Sequence, residues 1–290
     1  MFKILAREDL APVTKLFRIK APDVARKAQA GQFVVVRLDE KGERIPLTLA
    51  DWDKREGSVT LIFQEVGAST KRMGTLRAGD SVLDLIGPLG LPSDIEKYGT
   101  VVMVGGGVGI APIYPIARAM KKAGNRVISI IGARSQDLLF WEDMMRGVSH
   151  DLIVTTDDGS YGRRALVTEP LKEKLEAAAN AGAPIDRVVA IGPGIMMKFG
   201  AKTTQPFGVK TIVSINSIMV DATGMCGACR ISVGGQTKFV CVDGPDFDGH
   251  LVDWDLLMAR QRQYLDEEKR ATEVYVEKCQ RCQDEERGAA

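Results

Sequence analysis

An apolar run, Val101-Val102-Met103-Val104, passes directly into Gly105-Gly106-Gly107-Val108-Gly109 and then into Ile110-Ala111-Pro112. Glycines packed this closely after a β-branched run end a strand sharply. Ile110-Ala111-Pro112 then reads as a helix start. Strand, glycine turn and helix in that order open a doubly wound parallel sheet. The chain keeps this alternation, with strands at 100–104, 126–131, 151–155, 187–191 and 210–215 and helices at 111–123, 138–146, 165–179 and 195–201. Five strands joined by crossover helices predict a five-stranded parallel α/β sheet.

Before residue 99 the rhythm is different. Val59, Leu61 and Phe63 alternate with Thr60, Ile62 and Gln64, and Pro12, Pro22, Gly31, Gly42, Gly57, Gly67, Gly79 and Gly87 punctuate at strand-like spacing. That pattern predicts a small antiparallel β-barrel. After Ser217 comes a Gly- and Cys-rich stretch to Gly249, then a helix carrying Trp254, Leu257, Met258, Tyr264 and Leu265 near 3.6-residue spacing. The expected division is 1–98, 99–216 and 217–290, with a polar, mobile tail from Cys279. A chain of 290 residues is long enough for two or three such units.

With 39 basic and 38 acidic residues the net charge is +1, so no general electrostatic attraction to nucleic acid or to an anionic membrane is expected. Apolar runs are strand-length, far short of a membrane span, and residues 1–8 have no long apolar segment of the signal-peptide kind. The expected location is cytoplasmic. All five cysteines, an odd number, follow position 225. In a reducing compartment they suggest metal or redox chemistry rather than a disulfide framework.

The glycine turn 105–109, with Val108, Ile110, Ala111 and Pro112, is a candidate dinucleotide site. Glycines let the backbone approach a pyrophosphate, and the helix start supplies free N–H groups and a favourable dipole. It departs from G-x-G-x-x-G at Ile110, and a bare βα turn is the competing reading. Loops at the carboxyl ends of later strands should line the same crevice: Arg134 and Ser135; Asp157, Asp158 and Gly159; and Gly192, Pro193 and Met196. NAD and NADP are both compatible with these residues, and Asp-Gly at 158–159 also reads as an ordinary turn.

Cys226-x2-Cys229 is followed by Cys241 after eleven residues and preceded by Asp221 four residues before Cys226. Plant-type 2Fe-2S spacing is C-x4-C-x2-C with a distant fourth cysteine, and the chain fits it with aspartate in the first place. The competitor is zinc on Cys226, Cys229, Cys279 and Cys282, which needs an unusually long gap and leaves Cys241 unused. Only two histidines are present, His150 and His250, neither in a catalytic setting.

Barrel, nucleotide sheet and cysteine module in sequence resemble the ferredoxin-NADP reductase superfamily across essentially the whole chain. Arg44-Ile45-Pro46-Leu47-Thr48 resembles its R-x-Y-S flavin segment, with Pro46 in the tyrosine place and Leu47 in the serine place. The resemblance implies Arg44 on the FAD pyrophosphate and the backbone near Leu47 and Thr48 against the isoalloxazine. Gly67, Ser69 and Thr70 look like the second phosphate loop. Proline at that place with a C-terminal cluster is similar to electron-transfer subunits of dihydroorotate dehydrogenase. Aspartate at 221 is similar instead to the small subunit of electron-bifurcating NADH-dependent ferredoxin:NADP oxidoreductases. That likeness implies FAD, a 2Fe-2S cluster on Asp221, Cys226, Cys229 and Cys241, and NAD(H). It also implies a larger flavoprotein partner with FAD and 4Fe-4S clusters that reaches ferredoxin. A zinc-containing nucleotide-binding redox sensor is the reading of another class.

Overall fold

In the computed structural model, residues 1–288 are described, with side chains through Cys279. Strand β1 (Phe2–Ala11) turns back at Pro12-Val13 into β2 (Thr14–Lys20), and α1 (Pro22–Lys27), β3 (Phe33–Arg37), β4 (Ile45–Asp53), β5 (Ser58–Gln64), α2 (Ala68–Gly74), β6 (Ser81–Val82) and β7 (Asp84–Leu89) follow. The strands lie in the antiparallel order β6-β1-β2-β5-β4-β3-β7. Only Leu83 separates β6 from β7, at opposite edges of that order, and its N–H reaches the Arg37 and Leu38 carbonyls. The chain therefore crosses between the two edges and curls the sheet into a barrel. Inward positions fill it: Ile4, Phe17, Leu49, Leu61 and Phe63 are essentially inaccessible, and Phe17 meets Phe63 edge to face at 5.1 Å.

The second sheet begins at β8 (Thr100–Gly106), which enters α3 (Ile110–Lys122) through a 3-10 turn at Gly107–Gly109. It continues with β9 (Arg126–Ala133), α4 (Glu142–Val148), β10 (Asp151–Thr156), β11 (Arg163–Arg164), α5 (Thr168–Asn180), β12 (Arg187–Ile191), α6 (Gly194–Thr204) and β13 (Thr211–Ser214). The strand order is β11-β10-β9-β8-β12-β13-β16. The five expected strands are present and parallel, but the sheet has seven. Two-residue β11 is added at one edge. At the other, β16 (Asp246–Asp248) joins β13 antiparallel. Neither shows in the sequence, because each is too short to carry a pattern and forms only when a distant segment pairs.

Between β13 and β16 lie a hairpin of β14 (Arg230–Val233) and β15 (Gln236–Phe239), turned by Gly234-Gly235 at positive φ, and one helical turn, α7 (Val240–Asp243). The single C-terminal helix expected from periodicity is two, α8 (Trp254–Gln261) and α9 (Leu265–Gly288). Asp253 caps α8 through Leu256 N–H. The tail segment from Cys279 continues α9 to Gly288 rather than leaving it. Helix α4 starts at Glu142, later than expected, because Gln136–Leu138 is a 3-10 turn and Trp141 is left-handed at φ 57°.

Switching direction after β10, the chain places β12 beside β8, on the side away from β9. The carboxyl ends of β8 and β12 thus flank the switch point where doubly wound sheets bind ligands. One apolar cluster joins Phe33 and Val35 of the barrel, Val102, Val104, Val188 and Val213 of the sheet, and Cys229, Ile231, Val240 and Cys241 beyond it. The joint is tightened by Leu91 N–H on the Gly244 carbonyl at 2.6 Å.

At the same joint, the Ser93 hydroxyl donates to Asp246 Oδ2 at 2.5 Å, while Oδ1 is buried without a partner. Burial raises this carboxyl above its ordinary value of 3.8 against opposing bonds from Ser93 and Ser214. A group that gains a proton on folding favours the folded state at acid pH. That contribution is lost as pH climbs from the unfolded pKa through the raised folded one. Asp246→Asn should therefore raise the melting temperature at pH 7.5 by roughly 2–4 °C and leave it nearly unchanged near pH 3, below the ordinary carboxyl value of 3.8; equal shifts at both would remove the protonation account. Gly109→Ala places a Cβ 2.1 Å from the Ile191 carbonyl oxygen. Because that neighbour is backbone, the substitution should cost about 1–3 kcal/mol in a denaturant melt.

Candidate cofactor sites

At the sheet's carboxyl edge, the two turns of the switch point touch. The Met196 sulfur lies where a Cβ on Gly106 would meet it at 2.3 Å, and close to where one on Gly192 would. Side chains at either glycine would fill the crevice. The expected third glycine is absent because Ile110 is fully buried under the turn, while Gly109 makes the close approach instead. Sequence spacing alone put that requirement one residue later. Helix α3 buries Ile113, Tyr114, Ile116, Ala117 and Met120, which aims its amino end and its dipole at the crevice, although the Ile110 N–H is bonded to the Gly107 and Val108 carbonyls and Pro112 has none.

The loops after β9 and β10 are zipped together. Asp157 N–H donates to Ala133, Asp158 N–H to Arg134, both at 3.1 Å, and Gln136 N–H to the Ser160 hydroxyl at 2.8 Å. The Ser160 hydroxyl and amide hold Asp158 below the usual carboxylate range, and Ser135 donates to Asp137 at 2.5 Å. Arg134 is exposed, with no side-chain partner among the described residues. Beside these loops Leu139, Phe140, Trp141 and Tyr161 wall a groove of about 510 Å³. Trp141 and Tyr161 were not singled out from the sequence, because only the left-handed turn at Trp141 sets them at one rim.

On the barrel, Arg44 is exposed and unpaired among the described residues, just before β4. Pro46, Leu47 and Thr48 are partly exposed and paired to Val35, Val34 and Phe33 of β3. The Ser69 hydroxyl donates to the Glu43 carboxylate, which brings the start of α2 beside Arg44. Thr70 Oγ1 accepts from Val66 and Gly67 N–H at 3.2 and 3.1 Å, so its hydroxyl shapes the loop. The first-turn amides of α2 remain for an anion. Nothing lies within 4 Å of a Cβ on Gly67. The cradle is thus open, with Arg44 beside Glu43 at its edge, and an anionic group there would draw on Arg44 and the α2 amides.

In the cysteine module, Asp221 Oδ1 and Oδ2 accept Thr223 and Cys226 N–H at 2.9 and 2.8 Å, and these bonds lower its pKa, the Thr223 amide foremost. Left-handed Ala222, Gly224 and Gly227 bend this loop. Cys229 and Cys241 are buried with sulfurs 3.3 Å apart, whereas Cys226 is exposed. Burial and the Cys229 thiol push the Cys241 thiol up to about 12. Two adjoining buried thiols become thiolates only beside a cation, so this pair fits a thiolate-bound metal group such as an iron-sulfur cluster. As placed, Asp221 faces loop amides, and among the described residues no three Cys, His, Asp or Glu side chains converge on one metal position. Cys279 is exposed on α9, one turn from Tyr275; the side chain of Cys282 lies outside the described residues. No helix among the described residues is long and apolar enough to cross a membrane.

Residues 216–253 match the family model described as the iron-sulfur cluster binding domain of dihydroorotate dehydrogenase B. The chain is 48% identical over 260 residues, 90% of each chain, to the Thermotoga maritima "dihydroorotate dehydrogenase B (NAD(+)), electron transfer subunit homolog". It is 48% identical over 278 residues, 93% of each chain, to an uncharacterized protein in the adh 3′ region of Clostridium beijerinckii. A solved structure of the NADH-dependent reduced ferredoxin-NADP oxidoreductase, described for flavin-based electron bifurcation, superimposes with TM-score 0.89 at 46% identity, covering 95% of this chain and 98% of that one. The chain belongs to the family of dihydroorotate dehydrogenase B electron-transfer subunits and their homologues, oxidoreductase subunits among which it is homologous to the small subunit of the bifurcating ferredoxin-NADP oxidoreductase.

Proposed function

We propose that this chain moves electrons between NAD(H) and a larger flavoprotein, holding FAD on the barrel and a 2Fe-2S cluster on the cysteine module. The observation that carries the reading is the shared core: Cys229 and Cys241 pack in the same apolar cluster as Phe33 of the barrel and Met197 behind the 192–196 turn. Three cofactor sites on one rigid core keep redox groups at fixed separations. When bound, NAD(H) and FAD supply hydride exchange, and the cluster supplies single-electron transfer.

The chain's own residues bind and orient. Residues 105–112 receive the dinucleotide pyrophosphate, with Gly192, Pro193 and Met196 beneath its nicotinamide end. Arg134, Ser135, Asp157, Asp158 and Gly159 face its adenosine end. Arg44, Gly67, Ser69 and Thr70 cradle the FAD diphosphate, and the β4 backbone at Pro46, Leu47 and Thr48 lies against the ring system. Asp221, Cys226, Cys229 and Cys241 hold the cluster, once Asp221 turns from its loop amides. No side-chain acid or base is needed, in keeping with histidines that serve the fold. His150 Nδ1 accepts Val127 N–H at 3.0 Å, and His250 Nε2 lies 2.9 Å from the Thr204 hydroxyl.

Met225, 88% exposed and next to Cys226 in the chain, exposed Val220 on the same loop, and exposed Val242, which lies against Gly224, form an apolar rim on the cysteine loop. Such a rim supports a partner seated over the cluster loop, here a subunit with FAD and 4Fe-4S clusters that handles NADPH and ferredoxin. In that complex NADPH would reduce both ferredoxin and NAD, with the downhill branch through this chain.

The purified chain should contain one FAD, two irons and two sulfides, and NADH should bleach its anaerobic visible spectrum faster than NADPH. A colourless zinc protein would sink the reading. Asp221→Cys should retain both irons and shift the cluster midpoint, because carboxylate is a harder ligand than thiolate; an unchanged midpoint in a redox titration would remove Asp221 from the ligand set.

A further inference from the structure

The register of β4 slips between Leu49, opposite Leu61, and Asp51, opposite Thr60, so Ala50 is the extra residue of a bulge. Bulges re-aim the side chains that follow them. Leu49 faces the barrel interior, while past the bulge Asp51 and Trp52 meet helix α3 of the nucleotide-binding sheet. Asp51 Oδ1 accepts both the Trp52 N–H at 2.8 Å and Arg118 Nη2 at 2.7 Å. The Arg118 guanidinium carbon lies 5.5 Å from the centroid of Trp52 and 5.1 Å from that of Tyr114, one turn earlier on α3. Both rings are in cation–π range. Tyr114 in turn meets Trp141 edge to face at 5.2 Å, reaching the loop after β9. Beneath this contact, Leu16, Ala30, Ala50 and Ile62 of the barrel pack with Ile110, Ile113 and Ala117 of α3.

We infer that Arg118, held by Asp51 and the two rings, is a positioning residue that sets the pose of the dinucleotide turn over the flavin-binding strand. This rests on the function proposed above. The clamp joins the two elements that carry the cofactor anchors. Thr48 is three residues, about 10 Å, from Asp51 along β4. Ile110 is eight residues, about 12 Å, from Arg118 along α3. A rotation between barrel and sheet would be felt at both anchors with little attenuation. The apolar contact is non-directional and tolerates sliding, whereas a planar guanidinium fixed by one carboxylate oxygen and two ring faces does not. The Arg118 and Asp51 side chains are 39% and 27% exposed, so their pair adds little to global stability, and its effect is on orientation.

The test uses the FAD-loaded chain in anaerobic stopped flow with NADH, comparing Arg118→Met, Arg118→Lys, Asp51→Asn and the Asp51→Asn/Arg118→Met double variant. FAD content and NADH affinity should stay within twofold of the parent. Flavin reduction should slow by roughly tenfold or more in Arg118→Met and in Asp51→Asn, since misplacement of about 1 Å is that costly. Arg118→Lys should recover part of the rate, and the double variant should be no slower than the slower single one. The long-wavelength absorbance of the NADH–flavin complex should weaken in step. In the flavin-free chain, amide exchange at residues 50–53 and 110–118 should rise in Arg118→Met. Parental reduction rates in Arg118→Met, a loss confined to NADH affinity, or strictly additive losses would overturn the clamp. A parent chain whose flavin NADH does not reduce would overturn the proposed function itself, whereas a reducible parent with unaffected variants would overturn the clamp alone.

Discussion

Helix α3 is buried along most of its length between the parallel sheet and the barrel, and the rest of the architecture depends on that placement. Its amino end meets the glycine turn at the crevice between β8 and β12. Its flank closes the barrel face past the bulge in β4. Apolar contact holds it in both directions, so the glycine turn at 105–109 and strand β4 belong to a single packed body. Close packing of this kind transmits small displacements instead of absorbing them.

A second joint works on the opposite face. Strand β16 extends the parallel sheet, the Gly244 carbonyl receives Leu91 N–H, and the buried thiols of Cys229 and Cys241 join the core that also contains Phe33. Among the described residues, the cysteine module joins its buried apolar side chains to this core rather than forming a separate one. Its stability and the position of its sulfurs both come from the surfaces it covers. The buried carboxyl of Asp246 at this joint is a local cost in an otherwise apolar contact, and Ser93 and Ser214 offset part of it.

Much of the candidate site was legible in the residues because its chemistry is local. The glycine turn at 105–109, the Cys226–Cys229 pair and the Arg44 segment each carry their requirement within a few positions. Fold class was legible for the same reason, since period-2 and period-3.6 patterns run over whole elements. Less was legible where a pattern is short or its partner is remote. Neither β11 nor β16 has enough residues to show a period. The break between α8 and α9 falls inside a polar stretch whose spacing continues across it. Trp141, Tyr161, Asp51 and Arg118 look like unremarkable surface residues until the turn at 141 and the bulge at 50 aim them.

Sequence by itself determined the backbone of the long, strongly patterned segments and which residue types stand at each loop, because sterics, propensity and side-chain chemistry act over neighbouring positions. Tertiary structure alone decided which loops share a crevice, which cysteines are buried together, and which arginine on α3 meets β4. Those relations join positions tens to hundreds of residues apart. They are set by how layers pack and how a sheet changes direction, and neither leaves a mark in local composition.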